Sequence, residues 1–310
     1  MIPHQATSRK CWSMLFFATF ALSVGTIAAA QGTNSNPLFS ETKVRNYLPH
    51  MTWTEVEQAL TRTDAVIIPV GSIEQHGKHL PLGTDTIAAV ETAKLIAQKA
   101  DVLVAPAVFA GLSLHHMGFP GTIALSPETF EAVVYETAQS LIKHGFRKIL
   151  FYNGHGGNTV SVANVIQRIN QTTAATAFDL GKIEVPRKEP LYPPIPMDVH
   201  AGVEETSGML YLAASLVDMS KAENPILSFP PDVAKLDARA KTDPLFGQLA
   251  DSMRFRPLES GKKTSTREMS NTGSVTTGDI KTATAERGRR ELEGFIDNAA
   301  KFIEEWRKIK

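Results

Sequence analysis

Ala65-Val-Ile-Ile-Pro-Val-Gly-Ser-Ile-Glu-Gln-His-Gly-Lys-His-Leu-Pro-Leu-Gly-Thr-Asp85 carries both the fold and the chemistry of this chain. Its first six residues form an unbroken apolar run, which reads as a strand buried on both faces. A glycine-punctuated turn follows and holds Glu74, His76 and Asp85. Charged groups at the end of a buried strand are costly unless something pairs with them, and a divalent cation is the usual partner. Alternation along extended backbone puts Glu74 and His76 on one side. Asp85 opens the next helical pattern, where a carboxylate also serves as a cap, so its reading as a ligand competes with that role.

Working outward, strand-like and helical patterns alternate. Trp53 to Leu60 reads as a short helix with Thr52 or Thr54 as its N-cap. Asp85 to Ala100 has helical spacing, with Ile87, Val90, Leu95 and Ile96 apolar. Residues 102–109 read as a second strand. Ser126-Pro127-Glu128 opens a helix that should run to His144, with Gly145 as its stop. Residues 148–152 read as a third strand, 159–171 as a helix, 174–180 as a fourth strand, 204–217 as a helix and 283–309 as a long C-terminal helix. This grammar predicts an α/β fold, a three-layer α/β/α domain with a mostly parallel sheet. Binding sites in such sheets lie beyond the carboxyl ends of the strands, where the chemically loaded loops fall. Residues 186–196 are proline-rich and irregular. Residues 221–272 are polar with little periodicity and read as an excursion, an oligomer contact or a lid.

Three further blocks could carry chemistry. Asn153-Gly-His-Gly-Gly-Asn158 follows the third strand. A glycine-rich phosphate cradle is the competing reading, but the spacing fits neither the dinucleotide fingerprint nor the P-loop, which favours His155 as a metal ligand. His200-Ala-Gly-Val-Glu-Glu-Thr-Ser207 places a histidine and two glutamates at a helix mouth, where one of Glu204 and Glu205 is accounted for by helix-terminal charge. Ser113-Leu-His-His-Met-Gly-Phe-Pro-Gly-Thr122 supplies His116. His116 and His79 are the candidates to face a substrate.

The chain has 310 residues and balances 32 basic against 32 acidic side chains. No basic footprint for nucleic acid is visible. Arg9 and Lys10 precede an apolar run from Cys11 to Ala29, and Ala28 and Ala30 supply small residues before Gln31. That is the layout of a secretory signal peptide over residues 1–30, cut after Ala30, giving a secreted or periplasmic protein with no membrane partner after cleavage. A polar leader over residues 31–48 and one domain over residues 49–310 complete the expected organisation. Cys11, the single cysteine, leaves with the signal, so any metal must be held by His, Asp and Glu.

Taken together the four blocks resemble the creatininase family. The family pattern G-x-x-E-Q-H-G-x-H-L-P-L-x-T-D, S-x-x-H-x-x-F-P-G-T, N-G-H-G-G-N and H-A-G-x-x-E-T-S is met in order by GSIEQHGKHLPLGTD, SLHHMGFPGT, NGHGGN and HAGVEETS. The stretch from Thr277-Gly-Asp to Gly288 is also similar. The resemblance implies a creatininase-like fold, often assembled as a hexamer, so a homo-oligomer is expected. It implies Glu74, His76, Asp85 and His155 as ligands of two divalent ions (zinc, manganese or iron), with Asp85 bridging. It implies Glu205 as a catalytic group or further ligand, and His200 as a catalytic group near the substrate. The implied activity is hydrolysis of a C–N bond in a small cyclic or linear amide through a metal-bridging hydroxide, with Glu205 or His200 moving the proton.

Two departures stand out. Creatininases carry a glutamate two residues after the loop histidine, where this chain has Gly157. They also use active-site tryptophans, whereas Trp12, Trp53 and Trp306 fit no such place. Both argue against creatinine as substrate, and the N-G-H-G-G-N variant is closer to relatives acting on formamides or peptides. Gly157 also motivates a second reading, a secreted metal-containing binding protein with lost or weak catalysis.

Overall fold

Strand β1 (Ala65–Val70) is buried along its whole length, as its unbroken apolar sequence requires. The computed structural model describes residues 42–187, 189–254 and 265–309. The signal reading of residues 1–30, residues 31–41 of the leader and residues 255–264 of the polar excursion lie outside the described residues. In chain order the elements are α1 (Trp53–Leu60), β1, α2 (Thr84–Ala100), β2 (Leu103–Val104), α3 (Pro127–Lys143), β3 (Lys148–Asn153), α4 (Thr159–Thr172), β4 (Thr176–Asp179), β5 (Asp198–His200), α5 (Val203–Ala213), α6 (Pro231–Ala240), α7 (Pro244–Arg254), α8 (Thr266–Met269), β6 (Val275–Thr276) and α9 (Ala285–Lys308). The described residues after Asn34 form one compact unit, and none of their helices is long and apolar enough to cross a membrane.

β1 to β4 make a parallel sheet in the order β2-β1-β3-β4, with Ala65 opposite Lys148 and Val70 opposite Asn153. Alternation sorts the strand side chains between two cores. Val66, Ile68, Val70, Ile149 and Phe151 pack with Phe130 and Val134 of α3 and Val162, Val165 and Ile169 of α4. Ala65, Ile67 and Leu150 pack with Val90, Ala93 and Ile96 of α2 and Ile296, Ala299 and Ile303 of α9. Helices thus cover both faces, and the three-layer α/β/α architecture is observed.

Local chemistry sets most boundaries. Thr52 caps α1 in a capping box with Glu55, and Ser126 caps α3 with Pro127 at its first position. The second strand is shorter than its apolar run, Leu103–Val104 rather than residues 102–109. Pro106 lacks an N–H and restricts the residue before it, so regular pairing stops and only Val108 returns to bridge Val70. α5 ends at Ala213 and passes into a single 3-10 turn. The excursion contains α6 and α7, which pack on each other, and each opens on a proline.

β4 is an edge strand. Thr176 donates inward to the Arg147 carbonyl, so the backbone groups of Ala177 face outward. There the Asn170 side chain of α4 accepts from the Ala177 N–H at 2.6 Å and donates to its carbonyl at 3.1 Å.

Candidate metal centre

β1 and β3 are neighbours, but the chain leaves them in opposite directions, β1 toward β2 and β3 toward β4. The loops therefore part above the junction and leave a crevice at the carboxyl ends. Two close approaches draw the crevice tight. A Cβ on Gly71 would lie 2.5 Å from the Thr86 Cα, and one on Gly154 would lie 2.5 Å from the Asp85 carbonyl oxygen. Glycine at both positions lets the first turn of α2 sit against the end of β3, so Asp85 meets His155. Asn158 ties the loops together, donating to the Gly71 carbonyl at 2.9 Å and accepting from the Leu112 N–H at 2.9 Å. Asn153 accepts from the His155 N–H at 3.2 Å.

Asp85 is the centre of the cluster. Its Oδ1 lies 2.9 Å from His76 Nε2 and its Oδ2 lies 3.1 Å from His155 Nδ1. The α2 N-cap is Gly83, with no side-chain cap bond, so capping does not account for Asp85. Glu74 Oε2 lies 3.3 Å from His155 Nδ1 and accepts from Ser113 Oγ at 2.5 Å. Glu74 Oε1 faces His116 Nε2 at 3.3 Å and His200 Nδ1 at 3.6 Å. Glu205 Oε2 lies 3.7 Å from His76 Nε2 and accepts from the Ala201 N–H at 2.6 Å. Glu74, His76, Asp85, His116, His155 and His200 are all buried. A cavity of about 380 Å³ opens above them, lined also by Leu112, His115, the 154–157 loop and Val199.

The electrostatics follow from this packing. Burial opposes an imidazolium at His76, yet Asp85, Glu205 and Glu74 overcome it and raise the ring to about 10. His155 is likewise raised well above its ordinary value, against burial, by Asp85 and Glu74. Those cations hold Asp85 down at about 2 despite burial. His200, buried and beside His76, falls to about 3, and burial with neighbouring imidazoles keeps His116 neutral. Burial pushes Glu205 up to about 7, with His76 opposing and Asp85 reinforcing.

The donor set fits divalent cations. Among the described residues, Glu74 Oε1 and Asp85 Oδ2 are buried and accept no hydrogen bond, an expensive condition for carboxylate oxygens that a cation relieves. Ligand atoms of Glu74, His76 and Asp85, and separately of His76, His200 and Glu205, lie within 4.8 Å of one another. Carboxylate and imidazole donors of this mixture suit zinc, manganese or iron(II).

The residues singled out from sequence come together with one exception. His79 is buried away from the cavity lining, its Nε2 2.8 Å from Thr206 Oγ1, and burial lowers it to about 4. Sequence reasoning missed His115, whose ring stacks on His155 at 5.9 Å. It also missed Gln75, Ser113 and Thr266, which bond to the cluster. His115 and Gln75 sat inside blocks already quoted, but Thr266 came from the aperiodic excursion and carried no readable signal. A Cβ on Gly157 would lie 2.4 Å from His155 Nε2 and 2.6 Å from the Leu112 carbonyl oxygen, so this loop has no room for the glutamate that creatininases carry there.

Known proteins share this arrangement of sequence and fold. Residues 49–303 match the family model for creatininase, described as creatinine amidohydrolase. A mycofactocin precursor peptide peptidase of Mycolicibacterium smegmatis is 32% identical over 249 residues, covering 78% of this chain and 85% of that protein. A creatinine amidohydrolase of Pseudomonas putida is 30% identical over 212 residues, covering 62% of this chain and 82% of that protein. A solved Bacteroides fragilis protein assigned as a creatinine amidohydrolase superposes with a TM-score of 0.66 at 25% identity, covering 87% of this chain and 99% of that one. A solved creatininase variant of Zn-Zn type superposes with a TM-score of 0.62 at 25% identity, covering 84% and 98%. With its sequence matched from residue 49 to residue 303 and its fold shared across most of both chains, this protein belongs to the creatininase family of hydrolases.

Proposed function

We propose that the chain is a metal-dependent amidohydrolase that cleaves the C–N bond of a small amide. The observation that carries this reading is a pair of buried carboxylate oxygens, Glu74 Oε1 and Asp85 Oδ2, which make no hydrogen bond among the described residues and face imidazole nitrogens at 3.1–3.6 Å beneath an open cavity. Asp85 would bridge two ions, since its two oxygens face His76 and His155 separately. Glu74 and His155 would complete one position, and His76 with Glu205 the other, Glu205 taking the place of the glutamate absent at Gly157. When bound, the ions acidify a water toward neutral pH and polarise a carbonyl oxygen.

The chain's own groups supply the rest. A Glu205 carboxyl near pH 7 can take a proton and return it, which suits proton transfer to the leaving nitrogen. His200, neutral and directed at Glu74, is the alternative carrier. Among the described residues, no aromatic ring other than imidazole lines the cavity, so these residues give a flat cyclic substrate no stacking wall. That supports linear amides, formamides or short peptides over creatinine. We also propose export directed by residues 1–30 and assembly as a homo-oligomer.

The test is a screen of lactams, formamides, cyclic ureas and short peptides with zinc- or manganese-loaded protein, alongside metal counting. Hydrolysis lost on chelation and restored by metal supports the reading. One tightly held ion and no turnover on any of them would favour the binding-protein alternative.

A further inference from the structure

Gln75 lies between His116, a candidate to face the substrate, and His200, a catalytic candidate, and its bonds bear on which hydrogens those rings carry. Its Oε1 accepts from the Gly77 N–H at 3.0 Å, which fixes the orientation of the amide. Its Nε2 then donates to the Gly273 carbonyl at 3.0 Å, using one of two hydrogens. The same Nε2 lies 3.0 Å from His116 Nδ1 and 2.9 Å from His200 Nε2.

The Gln75 main-chain carbonyl resolves the choice. It lies 2.6 Å from His200 Nε2, and a carbonyl only accepts, so that nitrogen carries hydrogen. It cannot then accept from the Gln75 amide. The second amide hydrogen goes to His116 Nδ1, which must be bare. The Thr266 hydroxyl lies 2.7 Å from that nitrogen and donates to the His115 carbonyl at 3.0 Å, so its single hydrogen does not decide the tautomer and the Gln75 amide does. Neutral His116 therefore carries its hydrogen on Nε2, the atom 3.3 Å from Glu74 Oε1. His200 has its hydrogen turned away and faces the same oxygen with Nδ1, at 3.6 Å.

We propose that Gln75 is a positioning residue whose side-chain amide and main-chain carbonyl hold His116 and His200 with hydrogen on Nε2, so that His116 offers the site an N–H and His200 a bare nitrogen. Because the two rings enter the site by different atoms, one tautomer gives opposite roles. His116 is a donor for a substrate oxygen and is excluded as a ligand through Nε2. His200 is an acceptor, able to take a proton or bind a cation. The catalytic consequence rests on the amidohydrolase reading; the tautomers do not.

The test is two-bond proton–nitrogen correlation NMR on the full chain labelled at histidine, zinc-loaded and metal-free, with His116→Gln and His200→Gln variants to assign the rings. Both rings should show hydrogen on Nε2 in wild type. Gln75→Glu puts an acceptor oxygen where the amide nitrogen stood, so hydrogen should move to Nδ1 of His116. His200 should not change, because the main chain holds it. With an amide substrate, kcat should fall about 10- to 100-fold, with a smaller change in KM. Hydrogen on Nδ1 of His116 in wild type overturns the proposal, even if Gln75→Glu does not fold. An unchanged His116 ring in folded Gln75→Glu overturns the role of the side chain, and an inverted ring with unchanged kcat overturns the catalytic consequence. The stated tautomers without hydrolysis of any amide would uphold the positioning role and sink the amidohydrolase reading.

Discussion

Raising the pH from 7.5 to 8.5 should tighten metal uptake by the apoprotein at least about tenfold. His76 is raised to about 10, so it is cationic in that window without metal, and His155 is raised in the same direction by Asp85 and Glu74 against burial. Metal ligation needs neutral imidazoles, so each ring must release a proton on binding. Each proton released steepens the affinity about tenfold per pH unit, about 1.4 kcal/mol. His76 alone gives the tenfold figure, and His155, raised in the same direction, steepens it. Below pH 7 the Glu205 carboxyl, at about 7, adds a further proton and the slope should steepen again. Histidines of ordinary pKa would give almost no dependence above pH 7.5. Titration calorimetry in buffers of differing ionisation enthalpy counts the protons, and competition with a chromophoric chelator gives the affinity. A count near zero at pH 8 would refute the reasoning about how the carboxylates charge the two rings. His76→Ala should lower the count by one.

Asp85→Ala should abolish both metal binding and turnover, and by removing the carboxylate that lies nearest to both buried imidazoliums should cost the metal-free fold about 3–5 kcal/mol in denaturant unfolding; near-normal hydrolysis by this variant would rule out the bridging role. Gly157→Glu should not restore a creatininase-like site. Its Cβ would meet His155 Nε2 at 2.4 Å, so turnover should fall and stability drop by about 1–3 kcal/mol, read by kinetics and thermal melts. Phe151→Ala, emptying a fully buried position on β3, should cost about 3–5 kcal/mol by chemical denaturation. Chelation should lower the melting temperature and added zinc restore it, with no such response in Asp85→Ala.

The strands and helices that carry the chemistry were legible because each has a local signature. β1 is apolar at every position, α3 has a serine cap before proline, and β3 ends in the glycine-rich loop. Boundaries moved where one residue overrode the pattern, as Pro106 does in shortening β2. α6 and α7 were not legible because their apolar positions are few and short in range, although Pro231 and Pro244 marked their starts. At the site, residues inside the quoted loops were found and those arriving from elsewhere were not. Thr266 reaches His116 from 150 positions later, a contact made by tertiary packing alone. His79 fits the residue type but not the direction, since its ring turns away to Thr206.

The amide of Asn170 has a consequence beyond its own helix. By occupying the outward hydrogen-bonding groups of Ala177, it stands in for one rung of a fifth strand. The border of the sheet is closed there from within, a guard against edge-to-edge aggregation. A second copy approaching this border must therefore meet side chains at that rung, because it is not open to an incoming backbone.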